Sequence, residues 1–370
     1  MTSVGSLRRL QQGTLEAPGK RLCSVRRQGF CSRSSWSTGR LQGLNSLDPT
    51  GSSWTIFCRK NCPLMETYNE YLLEKICEIF PRKEVEAFIE ESEKQRPMTI
   101  RINTLLKGRK DVLKLLSGRG VDLDALSWTD SGCVVFKSSV PIGATPEYLA
   151  GYYCLQGAAS MLPVLNMDLK EGLTVVDLCA APGGKTTHIA ALMENTGVIY
   201  ANDVNEERIA GLKSNIQRMG VRNCIVMNMD GRKVNVGRVD RVLLDAPCSG
   251  TGVISKDPSV KTSRTRSEID RMVTLQKELI LHGFGMLKPG GILMYSTCSV
   301  LVKENEEVVN YLLSKCPSAK IAECEIDIGK DGFMSFKGKN YNGSLKMARR
   351  IYPHVHNMDG FFYAKILKKY

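Results

Sequence analysis

The chain has 370 residues, 42% of them hydrophobic and 24% charged, proportions of an ordinary globular protein with room for one large domain and a smaller one. Its longest apolar runs, residues 239–248 and 291–296, fall short of the ~20 residues that cross a bilayer, so no membrane span is expected and the chain reads as soluble. Of the formal charge of +13, eight charges sit in residues 1–60, where ten Lys or Arg face only Glu16 and Asp48; this balance favours a nucleic-acid partner, with acidic lipid or protein as alternatives.

Residues 1–60 are rich in Ser, Gly and Arg and show no helical or strand period, so they are expected to be mostly disordered. Their composition fits an organellar transit peptide, a nucleolar basic tail or an upstream extension from a misassigned start. The thirteen cysteines form no CxxC pair, and Cys58 and Cys62 lack a matching second pair. His188, His282, His354 and His356 complete no Cys2His2 spacing, so free thiols and no metal centre are expected.

From Pro63 to Glu93, Tyr68, Tyr71, Leu72, Ile76, Ile79 and Phe80 recur at helical intervals and predict two helices broken at Pro81. Met98–Leu106 reads as a strand, with Thr99, Arg101 and Asn103 alternating with apolar neighbours; a helix at Lys110–Leu116 and a strand at Cys133–Phe136 follow. Residues 61–150 are therefore expected to form a helical and small α/β region, with Arg101, Lys107, Arg109 and Lys110 available for phosphate contacts. Residues 151–370 form the larger domain. Its strands are predicted at 174–179, 198–203, 224–229, 239–245 and 291–297. Helices near 186–194, 205–219 and 267–287 alternate with them, and another lies near 303–315. This rhythm implies a mostly parallel sheet covered on both faces, with short runs after 318 and at 360–367 closing one edge as an antiparallel hairpin.

In open parallel sheets ligands bind beyond the carboxyl ends of the strands. The first strand there delivers Cys179, Ala180, Ala181, Pro182, Gly183, Gly184 and Lys185, a glycine turn that brings backbone amides to a ligand at a helix amino end. The next three end in Asp203, Asp230 and Asp245, and the fifth in Thr297-Cys298-Ser299. Asp203 follows the turn at the distance from which a carboxylate accepts the ribose hydroxyls of an adenosine cofactor, and Asp230 can accept from the adenine amino group. A triphosphate loop would need Gly where Cys179 stands. NAD binding is a rival reading of the turn and the acid, but it leaves the cysteines unexplained.

The fourth and fifth strands, as neighbours about 4.8 Å apart, bring Asp245, Cys248 and Cys298 to one rim. Methylation of cytosine carbon 5 needs such a set, because that carbon is a poor nucleophile until a thiolate adds to carbon 6. Cys298 is the candidate nucleophile, Asp245 the carboxyl group at ring nitrogen 3, and Cys248 the thiol that assists release. Lys185 is a candidate source of positive charge to lower the pKa of Cys298.

The motifs Asp177-Leu-Cys-Ala-Ala-Pro-Gly-Gly-Lys-Thr, Asp245-Ala-Pro-Cys-Ser-Gly-Thr-Gly and Tyr295-Ser-Thr-Cys-Ser resemble those of the NOL/NOP/Sun family of RNA cytosine carbon-5 methyltransferases, and the likeness runs from about Arg96 to Lys365. The resemblance implies a Rossmann-like methyltransferase fold and S-adenosylmethionine as cofactor. It also implies Cys298 as nucleophile, Cys248 in product release, and Cys179 to Lys185, Asp203, Asp230 and Asp245 around the cofactor. Three further stretches, Ser139–Gly151, Gly252–Pro258 and His354–Phe362, are similar to the branch acting on large-subunit ribosomal RNA, which implies pre-ribosomal RNA and assembly factors as partners and a nucleolar location. A mitochondrial-type organelle is the alternative address, from the Arg- and Ser-rich amino terminus. The alternatives in function are an RNA-binding assembly factor with methylation secondary, and a transfer-RNA methyltransferase. His354 and His356 either serve that branch's function or simply pack and cap the edge hairpin.

Overall fold

A computed structural model describes residues 63–370; the expectations for residues 1–60, and for Cys58 and Cys62, lie outside the described residues. The first two helices are α1 (Glu70–Ile79) and α2 (Arg82–Glu93). Asn69 caps α1 by accepting the Leu72 amide at 2.8 Å, and Pro81, which cannot continue a helix, stands at the cap of α2. Their apolar stripes, Leu72, Leu73 and Ile76 with Val85, Phe88 and Ile89, are buried in the core of the larger sheet rather than that of the smaller one.

The smaller sheet contains β1 (Met98–Ile102), β2 (Val121–Ala125), β3 (Gly132–Ser138) and β4 (Tyr153–Leu155) in the antiparallel order β2-β3-β1-β4. Helix α3 (Arg109–Gly118) covers one face, packing Val112 and Leu116 on Ile100, Ile102 and Val135. The alternation read along β1 is real, yet its polar side does not face water. Both Thr99 and Arg101 are buried; Thr99 Oγ1 donates to the Gln156 carbonyl at 2.6 Å, just ahead of α4 (Ala158–Leu165), and Arg101 reaches α5 (Gly184–Leu192). Arg101 Nε donates to Gln156 Oε1 at 2.7 Å and its NH2 to Thr187 Oγ1 at 2.8 Å, so this arginine joins the two sheets. The expectation that Arg101 serves phosphate is corrected: the side chain is fully buried, so even its unpartnered Nη1 has no face open to RNA.

The larger sheet holds β5 (Thr174–Asp177), β6 (Val198–Asp203), β7 (Cys224–Asn228), β8 (Val239–Asp245), β9 (Leu287–Thr297), β10 (Ala319–Ala322), β11 (Lys330–Asp331), β14 (Arg349–Ile351) and β15 (Phe361–Lys368), while β12 (Ser335–Phe336) and β13 (Lys339–Asn340) form a separate hairpin. Its main path runs β11-β14-β15-β9-β8-β5-β6-β7. The strands β9, β8, β5, β6 and β7 are parallel, and helices α6 (Glu206–Arg218), α7 (Arg266–Met286) and α8 (Glu306–Lys315) join α5 in covering them. Val175, Val176, Ile199, Ala201 and Val242 to Leu244 are buried, as strands covered on both faces require. The Rossmann-like α/β architecture is as expected. The antiparallel edge is larger than a hairpin: β10 pairs with β15 as expected, but β15 also pairs with β9 on its other side, and β14 and β11 extend the sheet outward. No described helix is long and apolar enough to cross a membrane.

Candidate active site

The glycine turn leaves β5 at Asp177 and enters α5 through Gly183, which has φ +97°. A Cβ there would lie 2.8 Å from Leu212 Cδ1, so both backbone and space require glycine. The turn lines a cavity of about 270 Å³ with Cys179, Ala180, Ala181, Pro182, Gly184 and Lys185, facing Asp245 and Cys298. Asp177 lines it too. One carboxylate oxygen of Asp177 accepts from Thr186 at 2.8 Å and the other is buried without a partner. Burial, and then the nearby Asp245 charge, pushes its pKa up to about 7.

Asp203 and Asp230 lie at the ends of β6 and β7 but do not line this cavity. The buried Asp203 carboxylate accepts the Ala181 amide at 3.1 Å and the Asn205 amide at 3.0 Å, so it supports the glycine turn directly. Asp230 accepts two bonds from the Arg232 guanidinium, at 2.6 Å and 2.9 Å, and one from the Arg232 amide; these bonds hold its carboxyl near a pKa of about 2. Burial and the surrounding carboxylates push the Cys179 thiol upward, so this cysteine stays protonated and contributes as backbone.

Strands β8 and β9 pair Asp245 with Ser296, so the turns that follow them rise side by side. Asp245 accepts Lys185 Nζ at 2.6 Å on one oxygen and Ser296 Oγ at 2.7 Å on the other. The positive charge that sequence reasoning offered to Cys298 is therefore bonded to Asp245. The sulfurs of Cys248 and Cys298 stand 3.1 Å apart. The Cys298 hydrogen bond, followed by burial, raises the pKa of Cys248, which stays protonated in contact with Cys298. Gly252 makes this approach possible: its amide donates to the Cys298 carbonyl at 2.8 Å, and a Cβ on it would fall 2.0 Å from the Gly360 carbonyl oxygen.

Sequence reasoning missed the group that joins the two turns. Glu304 is fully buried and accepts the Ser249 amide at 2.8 Å, the Ser249 and Ser299 hydroxyls, and the Gln276 side-chain amide at 3.2 Å. Ser249 and Ser299 each follow one of the cysteines in sequence. The available signal was an acid six residues beyond Cys298 and ahead of the first turn of α8, although residues 303–315 read as one helix. His354 packs edge-on to Phe80 and Phe88 and faces Glu84 at 3.4 Å, while His356 Nδ1 accepts the Tyr352 amide at 2.9 Å; both pack and cap.

Residues 164–367 match the family described as 16S rRNA methyltransferase RsmB/F, and residues 68–142 match its ferredoxin-like domain. The 28S rRNA (cytosine-C(5))-methyltransferase of Mus musculus is 50% identical over 317 residues, which make up 84% of this chain and 40% of that relative; the chain thus spans less than half of it. Among solved structures, a methyltransferase homolog protein from Pyrococcus horikoshii is 34% identical with a TM-score of 0.76, covering 88% of this chain and all of that one. NSun6 from Pyrococcus horikoshii, solved with SFG, is 26% identical with a TM-score of 0.73, covering 82% of this chain and 99% of that one.

Proposed function

The chain belongs to the RsmB/F family of rRNA methyltransferases, and from that premise we propose that it transfers a methyl group from S-adenosylmethionine to carbon 5 of a cytosine in large-subunit ribosomal RNA. The observation that carries this reading is the pair of sulfurs 3.1 Å apart, of which Cys298 lines the glycine-turn cavity together with Asp245. The 28S relative supports ribosomal RNA as the substrate. The reading assigns residues 61–150 to RNA binding and 151–370 to methyl transfer, in ribosome biogenesis in the nucleolus beside pre-ribosome assembly factors.

The cavity suits the cofactor on its own chemistry. The helix amino end offers backbone amides, Asp203 offers carboxylate oxygens behind Ala181, and the unpartnered Asp177 oxygen looks for a donor. Cys179 to Lys185, Asp203 and Asp245 would hold the cofactor; Asp230 would do so once its carboxylate turns from Arg232. When bound, the cofactor supplies an electrophilic methyl group.

The chain's own residues do the rest. The Cys298 sulfur adds to carbon 6, forming the C–S bond and pushing the ring electrons toward carbon 5. The proton released by the Cys298 thiol is taken up through Asp245, held by Lys185 and Ser296, and passed to ring nitrogen 3, where it neutralises the negative charge that collects there. Carbon 5 takes the methyl group; its proton then passes to solvent water, and the electrons of that C–H bond re-form the ring double bond. The C–S bond breaks with its electron pair on the Cys298 sulfur, and ring nitrogen 3 returns its proton to Asp245. Cys248, protonated and in contact with Cys298, returns a proton to the departing sulfur. The test is methyl transfer from radiolabelled S-adenosylmethionine to purified large-subunit rRNA and to transfer RNA, with bisulfite mapping of the product. Labelled 5-methylcytosine in rRNA that disappears with Cys298→Ala is expected. Label on transfer RNA alone would overturn the substrate, and label retained by Cys298→Ala would overturn the chemistry.

A further inference from the structure

A groove of about 700 Å³ runs on from the catalytic cavity and shares Gln156, Gly157, Lys256 and Asp359 with it. A polymer that places one base beside Cys298 must lead its neighbouring nucleotides out through an opening, and this groove is continuous with the site. One wall is the outer end of the smaller sheet. Thr99 pairs with Val134 across β1 and β3, and the two-residue period of a strand puts Phe136 on the same face as Val134. Phe136 is 67% exposed and stacks on no described ring, and Met98 and Leu155 beside the groove are 48% and 45% exposed. Among the described residues lining the groove the sole acidic side chain is Asp359, which Lys256 pairs with at 2.6 Å. An aromatic face presented to water in a groove without free negative charge suits the face of an unpaired base.

We propose that this groove takes the unpaired nucleotide adjacent to the target cytosine, with its base stacked on Phe136. The inference rests on the RNA-methyltransferase reading and deepens it by naming where the flanking strand runs. Phe136 acts on binding and register and takes no part in the chemistry. A base–aromatic stack accounts for roughly five- to a hundredfold in affinity.

The test uses the full chain with oligocytidylates of three and nine residues, the longer one also made with 2-aminopurine beside a central cytosine. Phe136→Ala is expected to weaken the nonamer by roughly five- to a hundredfold and to abolish the 2-aminopurine quench seen with the parent chain. The trimer, which already carries the adjacent nucleotide, should lose a similar factor, cofactor affinity should stay level, and Phe136→Trp should restore both signals. Equal nonamer affinity for the parent and Phe136→Ala, or a quench that survives the substitution, overturns the proposal and leaves the groove as a face for a protein segment. Loss of methyl transfer on every RNA, with the Phe136-dependent quench intact, would count against the catalytic reading and leave the groove assignment standing.

Discussion

Removing Glu304 should separate the two cysteine turns, and the structure sets the scale. Glu304→Ala deprives the Ser249 amide, the Ser249 and Ser299 hydroxyls and the Gln276 amide of an acceptor in a buried site. The hydroxyls have a fallback, because Thr251 Oγ1 lies 3.3 Å from Ser249 Oγ and 3.0 Å from Ser299 Oγ. The Gln276 amide keeps its bond to the Pro247 carbonyl at 2.8 Å, whereas the Ser249 amide has no other acceptor in the network. One orphaned donor at ~1–3 kcal/mol and one lost weaker bond from Gln276, offset by no longer burying a carboxylate, give a net loss of about 2 kcal/mol in stability. Glu304→Gln keeps one carbonyl acceptor and should lose about half as much. A slip of about 1 Å between the sulfurs would slow the covalent step by about a hundredfold. Urea unfolding and single-turnover adduct formation, measured on both variants, read the two effects separately. A stability change below about 1 kcal/mol in Glu304→Ala, with adduct formation unchanged, would refute the claim that this carboxylate ties the turns together.

Asp177 should make stability fall as pH rises. Its folded pKa of about 7 lies above the ordinary 3.8, so between those values the folded chain holds a proton that the unfolded chain has released. Raising the pH from 5.5 to 8 should therefore cost the parent on the order of 2 kcal/mol relative to Asp177→Asn, read by urea unfolding at the two pH values; parallel profiles would contradict it. Asp203→Ala removes the acceptor of the Ala181 and Asn205 amides. Calorimetry should show S-adenosylmethionine binding weakened by about 1–3 kcal/mol, and unchanged affinity would remove Asp203 from the site.

The parts of the fold that the sequence disclosed are those where one physical cause dominates. Strands β5, β6 and β8 are covered on both faces and so read as apolar runs between helices, and their carboxyl ends could be searched for polar residues. That search found Asp245, Cys248 and Cys298 because β8 and β9 are neighbours, a fact that topology rules give without coordinates. Strands β11 and β14 escaped because Lys330-Asp331 and Arg349-Arg350-Ile351 carry no alternation; their place is fixed by β15, not by their own sequence. The extra residues at the start of β9 were hidden by Pro289 and Gly290, which read as a break, whereas the pairing with β8 passes through a register shift there. Arg101 and Glu304 were misread or missed for one reason. A charged residue is assigned to solvent by default, and only tertiary partners such as Thr187 or Ser249 show that it is buried.

The two-cysteine chemistry is tested most directly by a denaturing gel. The parent chain, Cys298→Ala and Cys248→Ala are incubated with S-adenosylmethionine and large-subunit rRNA, and covalent protein–RNA species and methylated cytosine are scored together. Because the Cys298 sulfur forms the bond to carbon 6 and the Cys248 thiol assists its release, Cys248→Ala should accumulate a species that survives denaturation, and Cys298→Ala should give neither adduct nor product. A trapped species with Cys298→Ala and none with Cys248→Ala would reverse the two roles. Retained activity in both variants without any trapped RNA would contradict the covalent mechanism itself.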